Sequence, residues 1–311
     1  ANVVARIPAE KSDGSILFAS HLDVVPAGRE HWERDPFKAK ITEGRIYGRG
    51  ACDMKGSIAA LITAVKEVMA EESHFGKEIV LFFGAGEETD SCGARRFVEE
   101  CKDAGEQFDG VIIPEPTNFE IVTAHRGLLW LKITTAGRTA HGSDPSAGVN
   151  AISSLEAVQE ALRGFDLGSK RDKLLGRSSM SVNTIRGGDM RTVRGQGHEK
   201  IVEKFERLFA SLKEKREDFA ARVSVVRSVK PLVTDERDVF VQAFTSLVGA
   251  AGTKAVGFTT DGPHFAELGA PVVVFGPGEP GACHKPDESI ELKDLRKAAA
   301  FFKNILGRYG R

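Results

Sequence analysis

The stretch EIVLFFGAGEET, residues 78–89, predicts a buried strand that ends at a glycine turn and two adjacent carboxylates. A short apolar run bounded by glycine is typical of a strand inside a covered sheet. Helix-like periodicity precedes this run at residues 57–70, and a second helix-like segment follows it at residues 93–102. Strands that alternate with helices form mostly parallel sheets with helices on both faces. The sequence therefore predicts an α/β fold with a mostly parallel, helix-flanked sheet.

Acidic side chains and histidines follow several other strand-like runs. Six such residues end a run or lie in a glycine-rich turn: His21, Asp53, Glu87, Glu88, Glu115 and His284. The carboxyl ends of the strands in an open α/β sheet converge on one rim, where ligands bind. Four carboxylates on one rim would repel one another unless a cation neutralised them. The pattern therefore predicts a metal site with two metals, and these donor types suit zinc.

The surroundings of His21 and Asp53 allow specific roles. Asp23 can hold the second ring N–H of His21, which fixes the tautomer of a metal-binding imidazole, although a lone His-x-Asp pair is more often only a structural hydrogen bond. Asp53 can bridge two metals that lie ~3.5–4 Å apart. Its alternative role is to cap the helix that begins near Ser57, but Asp53 lies several residues early and Ser57 is the better cap.

The acids of the two neighbouring runs leave alternatives open. Of Glu87 and Glu88, one could bind metal while the other takes a proton from an attacking water; both could also be surface residues of a solvated loop. Glu115 lies between Pro114 and Pro116, whose rings hold the segment extended. That rigidity suits a metal ligand, and the alternative is an ordinary loop glutamate.

Two other kinds of site receive less support. Cys52 and Cys283 each precede a proposed ligand, but carboxylates and imidazoles already suffice for zinc without a thiolate. Residues 276–281 match the G-x-G-x-x-G pattern of dinucleotide binding after a strand. We reject that interpretation because Pro277 and Pro280 prevent the helix that should open there.

Length, charge and cysteine spacing exclude several classes of protein. The 311 residues are enough for two domains of the usual ~100–200 residues. The 43 basic and 44 acidic residues are well mixed, which argues against nucleic-acid and anionic-membrane partners. No apolar run approaches the ~18 residues of a membrane span. The four cysteines lack C-x-x-C spacing and indicate reduced thiols in a cytoplasmic protein.

The pattern of elements changes near His125. A longer strand is predicted at residues 128–135, followed by amphipathic helices at 151–162 and 198–213 and by strands around them. This predicts a layer of two helices on a sheet, inserted at residues 125–230 into a larger domain formed by residues 1–124 and 231–311.

The residues discussed so far fall within sequence blocks of a known family. In chain order the blocks are SHLDVVPAG (20–28), W-x-x-DPF (32–37), GRIYGRGACDMKG (44–56), GAGEET (84–89), PEPTN (114–118), GRTAHGSDPSAGVNAI (137–152), TTDGPHF (259–265) and FGPG (275–278) with His284. With these blocks the sequence closely resembles the dinuclear-zinc amidohydrolases. That family includes acetylornithine deacetylase, succinyl-diaminopimelate desuccinylase, aminoacylases and glutamate carboxypeptidases. The blocks span nearly the whole chain in family order.

The resemblance implies two zinc ions per subunit, for which cobalt is expected to substitute. The implied ligands are His21 and Glu115 for one ion, Glu88 and His284 for the other, and Asp53 for both. Glu87 would be the general base, and Asp23 would orient His21. The larger domain would be the catalytic domain, with a zinc-peptidase-like fold. The insert would be a ferredoxin-like dimerisation or lid domain.

The resemblance also implies how substrate is bound. His141, in a Gly-x-x-Ala-His-Gly context, would act across a homodimer formed through the insert, where it would stabilise the oxyanion. Arg191, Gly276 and Gly278 would bind a substrate carboxylate. The expected substrate is an N-acyl amino acid, with a dipeptide that has a free carboxyl end as the alternative. A metal-binding homologue without catalysis is a remote alternative because every ligand and base position is occupied.

One departure from the family concerns the insert. The strand predicted at residues 180–185 runs towards Gly187 and Gly188. Its predicted partner strand lacks half that length, since only residues 191–193 have the pattern of a strand end. A hairpin needs strands of comparable length, typically ~5–6 residues. We therefore expect that residues are missing from the sequence between Gly187 and Met190.

Overall fold

The computed structural model describes residues 1–9, 14–71, 75–141, 144–168, 171–184 and 187–309. The chain divides into two compact units. The larger unit consists of Ala1–His125 and Leu232–Arg311, and the smaller unit consists of Arg126–Pro231. Helices and strands alternate in the larger unit as its sequence predicts, so the α/β prediction is confirmed.

The strands are numbered in chain order. They are β1 (Val3–Ile7), β2 (Ser15–His21), β3 (Lys40–Thr42), β4 (Arg45–Tyr47), β5 (Glu78–Gly84), β6 (Gly110–Ile113), β7 (Ile121–His125), β8 (Gly127–Thr135), β9 (Ser179–Thr184), β10 (Gly187–Thr192), β11 (Ala221–Val229), β12 (Leu232–Val233), β13 (Thr253–Val256), β14 (Val272–Val274) and β15 (Ser289–Glu291).

The helices are α1 (Gly56–Glu71), α2 (Cys92–Ala104), α3 (Ala151–Arg163), α4 (His198–Lys215), α5 (Val239–Val248), α6 (Gly262–Ala266) and α7 (Leu292–Tyr309). In the part of the chain that the structure describes, no helix has both the length and the apolar character that crossing a membrane requires.

The central sheet of the larger unit has eight strands in the order β1-β5-β2-β6-β14-β7-β12, with β13 beside β7. The neighbours β5, β2, β6 and β14 run parallel, while β1 pairs antiparallel with β5 at one edge. A separate three-stranded antiparallel sheet, β15-β4-β3, lies in the same unit. The parallel strands place four successive carboxyl ends on one rim of the central sheet.

Strand β2 shows why this sheet is covered on both faces. Its side chains alternate between the faces, as the two-residue period of a strand requires. Ile16 and Phe18 pack against residues of α1, α5 and α7. Leu17 and Ala19 pack on the opposite face, against residues of α2 and α6. All four side chains are buried, so this continuous apolar run forms the middle of a three-layer core.

The smaller unit has the chain order β8-α3-β9-β10-α4-β11. Its four strands form one antiparallel sheet in the order β11-β8-β10-β9. This β-α-β-β-α-β connectivity is that of the ferredoxin-like fold, which confirms the predicted fold of the insert. Phe205 and Phe209 of α4 are buried with Phe219 and with Leu129 and Leu131 of β8 in the core of this unit.

The expectation of a shortened partner strand, from which missing residues between Gly187 and Met190 were inferred, is wrong. Strand β10 runs without a break through these positions and pairs with β8 on one side and β9 on the other. Its pairing with β9 changes register between Gly187 and Asp189. Glycine and aspartate are poor strand formers, and a register shift of this kind is typical of a bulge at glycine. The strand was therefore hidden from sequence patterns although it has normal length.

Candidate metal centre

The six side chains with metal-binding chemistry belong to one rim of the central sheet. His21 is the last residue of β2, the paired glutamates Glu87 and Glu88 follow β5, and Glu115 follows β6. His284 comes after β14, and Asp53 comes from the irregular turn Ala51–Lys55 that precedes α1. Because β2, β5, β6 and β14 are parallel neighbours, their carboxyl ends lie side by side.

Asp53 lies between the two histidines. Its Oδ1 is 3.0 Å from Nε2 of His21, and its Oδ2 is 3.1 Å from Nε2 of His284. Nε2 of His21 also lies 3.4 Å from Oε1 of Glu115. Nε2 of His284 lies 3.0 Å from Oε1 of Glu88. Each histidine is thus directed at one oxygen of Asp53 and at one further carboxylate. This is an arrangement in which a single carboxylate can serve two cations.

Three groups of the described residues could each hold a metal ion, with all donor atoms of a group within 4.8 Å of one another. They are His21 with Asp53 and Glu115, Asp53 with Glu88 and His284, and His21 with Glu87 and Glu88. The first two groups share Asp53 and have the composition that the family resemblance implies. The third includes Glu87, so a carboxylate oxygen of this residue lies within 4.8 Å of donor atoms of His21 and Glu88. None of these groups contains a cysteine.

The charges of the cluster explain why it suits cations. Burial disfavours the charged ring of His21, but the carboxylates of Glu115 and Asp53 outweigh burial and raise the pKa of this histidine well above its usual value. Burial and the charge of Asp53 raise the pKa of Glu115 to about 7. Hydrogen bonds with Asp53 and Glu88 raise the pKa of His284 to about 10. Asp53 is buried, yet its contacts with the two histidines hold its pKa well below the usual range.

These pKa shifts show that positive charge close to the carboxylates of the cluster is favourable. Metal ions would supply that charge in place of protons, which is why metal binding to such ligands releases protons. Imidazole nitrogens and carboxylate oxygens are also the donors that zinc takes in proteins. The residues present therefore fit a two-metal site.

Asp23 contacts both His21 and the turn that carries the paired glutamates. Its backbone carbonyl, and not its carboxylate, accepts the hydrogen bond from Nδ1 of His21, at 2.9 Å; the nearer carboxylate oxygen lies 3.7 Å away. The carboxylate instead accepts the N–H groups of Gly86, Glu87 and Glu88, at 2.9, 3.2 and 3.1 Å. The predicted hold on His21 thus comes from the main chain, while the side chain fixes the paired glutamates.

Asp53 does not cap a helix. The helix α1 begins at Gly56, and the carboxylate of Asp53 is engaged by the two histidines instead. In the turn around it, Gly50 has a φ of 82° and the peptide bond between Asp53 and Met54 is cis.

Two buried charged residues behind this turn were not identified as site residues from the sequence. They are Arg49 and Glu288, which form an ion pair with side chains 3% and 0% exposed. Arg49 lies in the same glycine-rich block as Asp53, and Glu288 ends the run His-Lys-Pro-Asp-Glu. Those positions beside proposed ligands were the signal available in the sequence.

The glycines predicted to bind substrate have structural roles in this site. The N–H of Gly276 donates to Oγ1 of Thr117 at 3.1 Å, and a Cβ at Gly276 would lie 2.5 Å from the backbone oxygen of Glu115. Gly278 has a φ of 95°, and a Cβ there would lie 2.6 Å from Sγ of Cys52. Both glycines therefore allow the loop after β14 to pack against the segments that carry the predicted metal ligands. Their contact with substrate stays a prediction.

The remaining two predicted site residues lie in the smaller unit. His141 is exposed, and its carbonyl accepts the N–H of Asp144 at 2.9 Å. Arg191 is half-buried in β10, where its Cα faces those of Leu128 and Ser179 on the neighbouring strands. Their roles towards substrate also stay predictions.

Comparison with known proteins gives a consistent assignment. The family model described as Peptidase family M20/M25/M40 matches residues 17–308. An acetylornithine deacetylase of Pasteurella multocida is 29% identical over 323 residues, which cover 96% of this chain and 81% of that protein.

Two solved structures share the fold. The M20 family metallo-carboxypeptidase Sso-CP2 of Sulfolobus solfataricus is 20% identical, with a TM-score of 0.80 and coverage of 99% of this chain and 88% of that chain. The YXEP protein of Bacillus subtilis, described as a dinuclear metal-binding peptidase of the M20 family, is 15% identical, with a TM-score of 0.64 and coverage of 98% and 85%.

Proposed function

The chain belongs to peptidase family M20/M25/M40 and is a metal-dependent amidohydrolase, and from this premise we propose that it cleaves the amide bond of an N-acyl amino acid. The observation that carries the proposal is the carboxylate of Asp53, which faces His21 with one oxygen and His284 with the other. The deacylase type of reaction is supported by the sequence identity to acetylornithine deacetylase, which is higher than the identity to either of the two solved peptidases.

The proposed cofactor is a pair of zinc ions that share Asp53. His21 and Glu115 would hold one ion, and Glu88 and His284 would hold the other. This division follows the two groups of donor atoms that meet at Asp53. When bound, such ions polarise an amide carbonyl and make a water molecule more acidic.

Glu87 is proposed as the general base. It would take a proton from the attacking water and deliver it to the leaving amine. Support comes from its place in a group with His21 and Glu88, and from the bond that holds its own N–H to Asp23. A general base must lie within hydrogen-bond reach of the proton it removes, and the turn fixed by Asp23 would hold Glu87 in one place for that role.

A homodimer through the smaller unit is proposed to complete the site. His141 of the partner subunit, together with backbone N–H groups, would stabilise the oxyanion that forms at the attacked carbonyl. Its exposure and its Gly-x-x-Ala-His-Gly context support this role. Mixing inactive His141→Ala with inactive Glu87→Ala protein should restore part of the activity through hybrid dimers. An active enzyme that sediments strictly as a monomer would rule the idea out.

The substrate is proposed to be a small molecule with a free carboxylate, which Arg191 and the turn at Gly278 would bind. Neither a nucleic acid nor a membrane is an expected partner, given the balanced charges of the chain. A cytoplasmic location is proposed because all four cysteines are free thiols.

A substrate panel tests the proposed function. Protein loaded with zinc or cobalt is assayed against acetyl-amino acids, succinyl-amino acids and dipeptides, and release of free amino acid is measured. Faster turnover of acyl-amino acids than of dipeptides supports the deacylase. Turnover restricted to peptides would assign the chain to the carboxypeptidase or dipeptidase type. No turnover of any member by fully loaded protein would overturn the enzymatic proposal.

A further inference from the structure

A buried carboxylate lies directly behind the turn that carries Asp53. Oε1 of Glu288 accepts the backbone N–H of Cys52 at 2.9 Å and the backbone N–H of Asp53 at 3.1 Å. Oε2 of the same residue pairs with the guanidinium of Arg49. The side chain of Glu288 is fully buried. One carboxylate therefore holds two successive amides, and the second belongs to the residue that lies between the two histidines.

Further contacts fix the position of Glu288 against this turn. Its backbone carbonyl accepts the N–H of Gly48 at 2.9 Å. The guanidinium of Arg49 lies 5.0 Å from the ring centre of Trp32, and the N–H of Arg49 donates to the carbonyl of Pro36 at 2.9 Å. Glu288 thus holds the segment from Gly48 to Asp53 with both its backbone carbonyl and its carboxylate.

Burial of an ion pair is costly, so this one calls for an explanation. Desolvation of two charges often cancels their mutual attraction, and a buried pair is weak evidence of stabilisation by itself. The pair does supply an anionic acceptor for two amides, and hydrogen bonds to a charged group are shorter and stronger than neutral ones. These two hydrogen bonds fix the main chain at Cys52 and Asp53.

We propose that Glu288 is a positioning residue that keeps Asp53 between His21 and His284 and thereby sets the metal affinity of the site. The inference rests on the proposed function in one respect, namely that Asp53 binds metal ions. Glu288 follows His284 by four residues, so a single segment contacts Asp53 from two sides. His284 meets the carboxylate, and Glu288 meets the backbone N–H.

The first test compares two neighbouring acids that make equivalent local bonds. Asp287 also accepts two backbone N–H groups, those of Glu33 at 3.2 Å and Arg34 at 3.0 Å, but neither residue is a proposed ligand. Affinity for zinc and for cobalt is measured by calorimetry at one pH for wild type, Glu288→Gln and Asp287→Asn. Loss of a residue that orients a ligand typically weakens metal binding about 10–100-fold. We expect that loss for Glu288→Gln and near-native affinity for Asp287→Asn.

A second variant separates positioning from folding. Replacement of a whole buried ion pair by apolar residues often leaves stability unchanged or improved. The double variant Arg49→Met with Glu288→Leu leaves no buried charge unpaired, although the amides of Cys52 and Asp53 lose their acceptor. It should therefore melt between Glu288→Gln and wild type, yet bind cobalt as weakly as Glu288→Gln and show an altered cobalt absorption spectrum. It also keeps the test decisive if Glu288→Gln fails to fold.

Two outcomes would contradict the positioning role of Glu288. Native metal affinity in Glu288→Gln, or a double variant that regains both stability and metal affinity, would leave Glu288 with a purely structural role. These measurements need no substrate. If wild-type protein binds metal but hydrolyses no member of the substrate panel, the proposed activity fails while the inference about Glu288 is still decided by affinity.

Discussion

Replacement of Glu87 by glutamine should abolish most turnover without loss of metal. Glutamine keeps the size of the side chain, and the bond from the N–H of residue 87 to Asp23 is unchanged because it uses the main chain. The two donor groups that meet at Asp53 do not include Glu87. The substitution therefore removes the proposed base and leaves five proposed ligands in place.

The size of the effect follows from the loss of the general base alone. General acid–base catalysis by a positioned side chain contributes about 10²–10⁴-fold to a rate. At 1.36 kcal/mol per factor of ten, the barrier should rise by about 3–5 kcal/mol. The loss should appear in kcat, because Glu87 acts on the reacting water and not on substrate binding.

Glu88→Gln is the matched comparison. Oε1 of Glu88 lies 3.0 Å from Nε2 of His284, and both belong to the donor group that contains Asp53. This variant should lose metal, and its activity should return in part with excess zinc, whereas added zinc should not help Glu87→Gln. Metal content after dialysis and kcat with and without added zinc are the measurements. Equal metal loss in both variants would refute the assignment of Glu87 as base, because the third donor group would then describe the site better.

Three further results are expected. Burial lowers the pKa of His198, whose ring forms hydrogen bonds with the hydroxyls of Thr192 and Ser228. As the pH falls below the usual histidine pKa, the unfolded chain therefore takes up a proton before the folded chain does, and the stability of the fold decreases. Melting curves between pH 7 and pH 5 should show a smaller acid-induced loss in His198→Asn than in wild type, and equal losses would contradict this. Chelation should lower the melting temperature and zinc should restore it, because ions that bind only the folded state stabilise it; an unchanged melting temperature after verified metal removal would argue against the site. Phe302→Ala should cost about 3–5 kcal/mol in denaturant unfolding, since Phe302 is fully buried with its ring 6.3 Å from that of Phe18, and a cost below ~1 kcal/mol would show that the core closes over the gap.

The sequence was sufficient for the fold class and for the set of residues at the rim. Apolar runs such as β2 and β5 are buried on both faces, so their pattern is continuous and easy to identify. His21, Glu87 and Glu115 follow such runs at once, and parallel strands must bring their ends together. The α/β fold and the convergence of these side chains follow from these local features.

Other features depend on contacts between distant parts of the chain. Glu288 makes its bonds to backbone N–H groups more than 230 residues away, and backbone groups carry no sequence signal. The carboxylate of Asp23 likewise binds amides of the turn after β5, although its spacing from His21 suggested the ring. Strand β10 was missed because Gly187 and Gly188 pair through the main chain alone. In each case the deciding interaction is with the main chain, whose partners only the folded structure identifies.

The way the smaller unit joins the larger one has an evolutionary consequence. The chain leaves the larger unit after His125 at the end of β7 and returns at Leu232 at the start of β12, and these two residues are paired neighbours in the central sheet. The exit and re-entry points therefore lie directly opposite each other on two paired strands, a gap that a hairpin turn of a few residues can span. An ancestor could have gained residues 126–231 as a single insertion into such a turn, without any change in the order of the older strands. The hydrolytic sheet and the ferredoxin-like module can then have separate histories, joined at one hairpin.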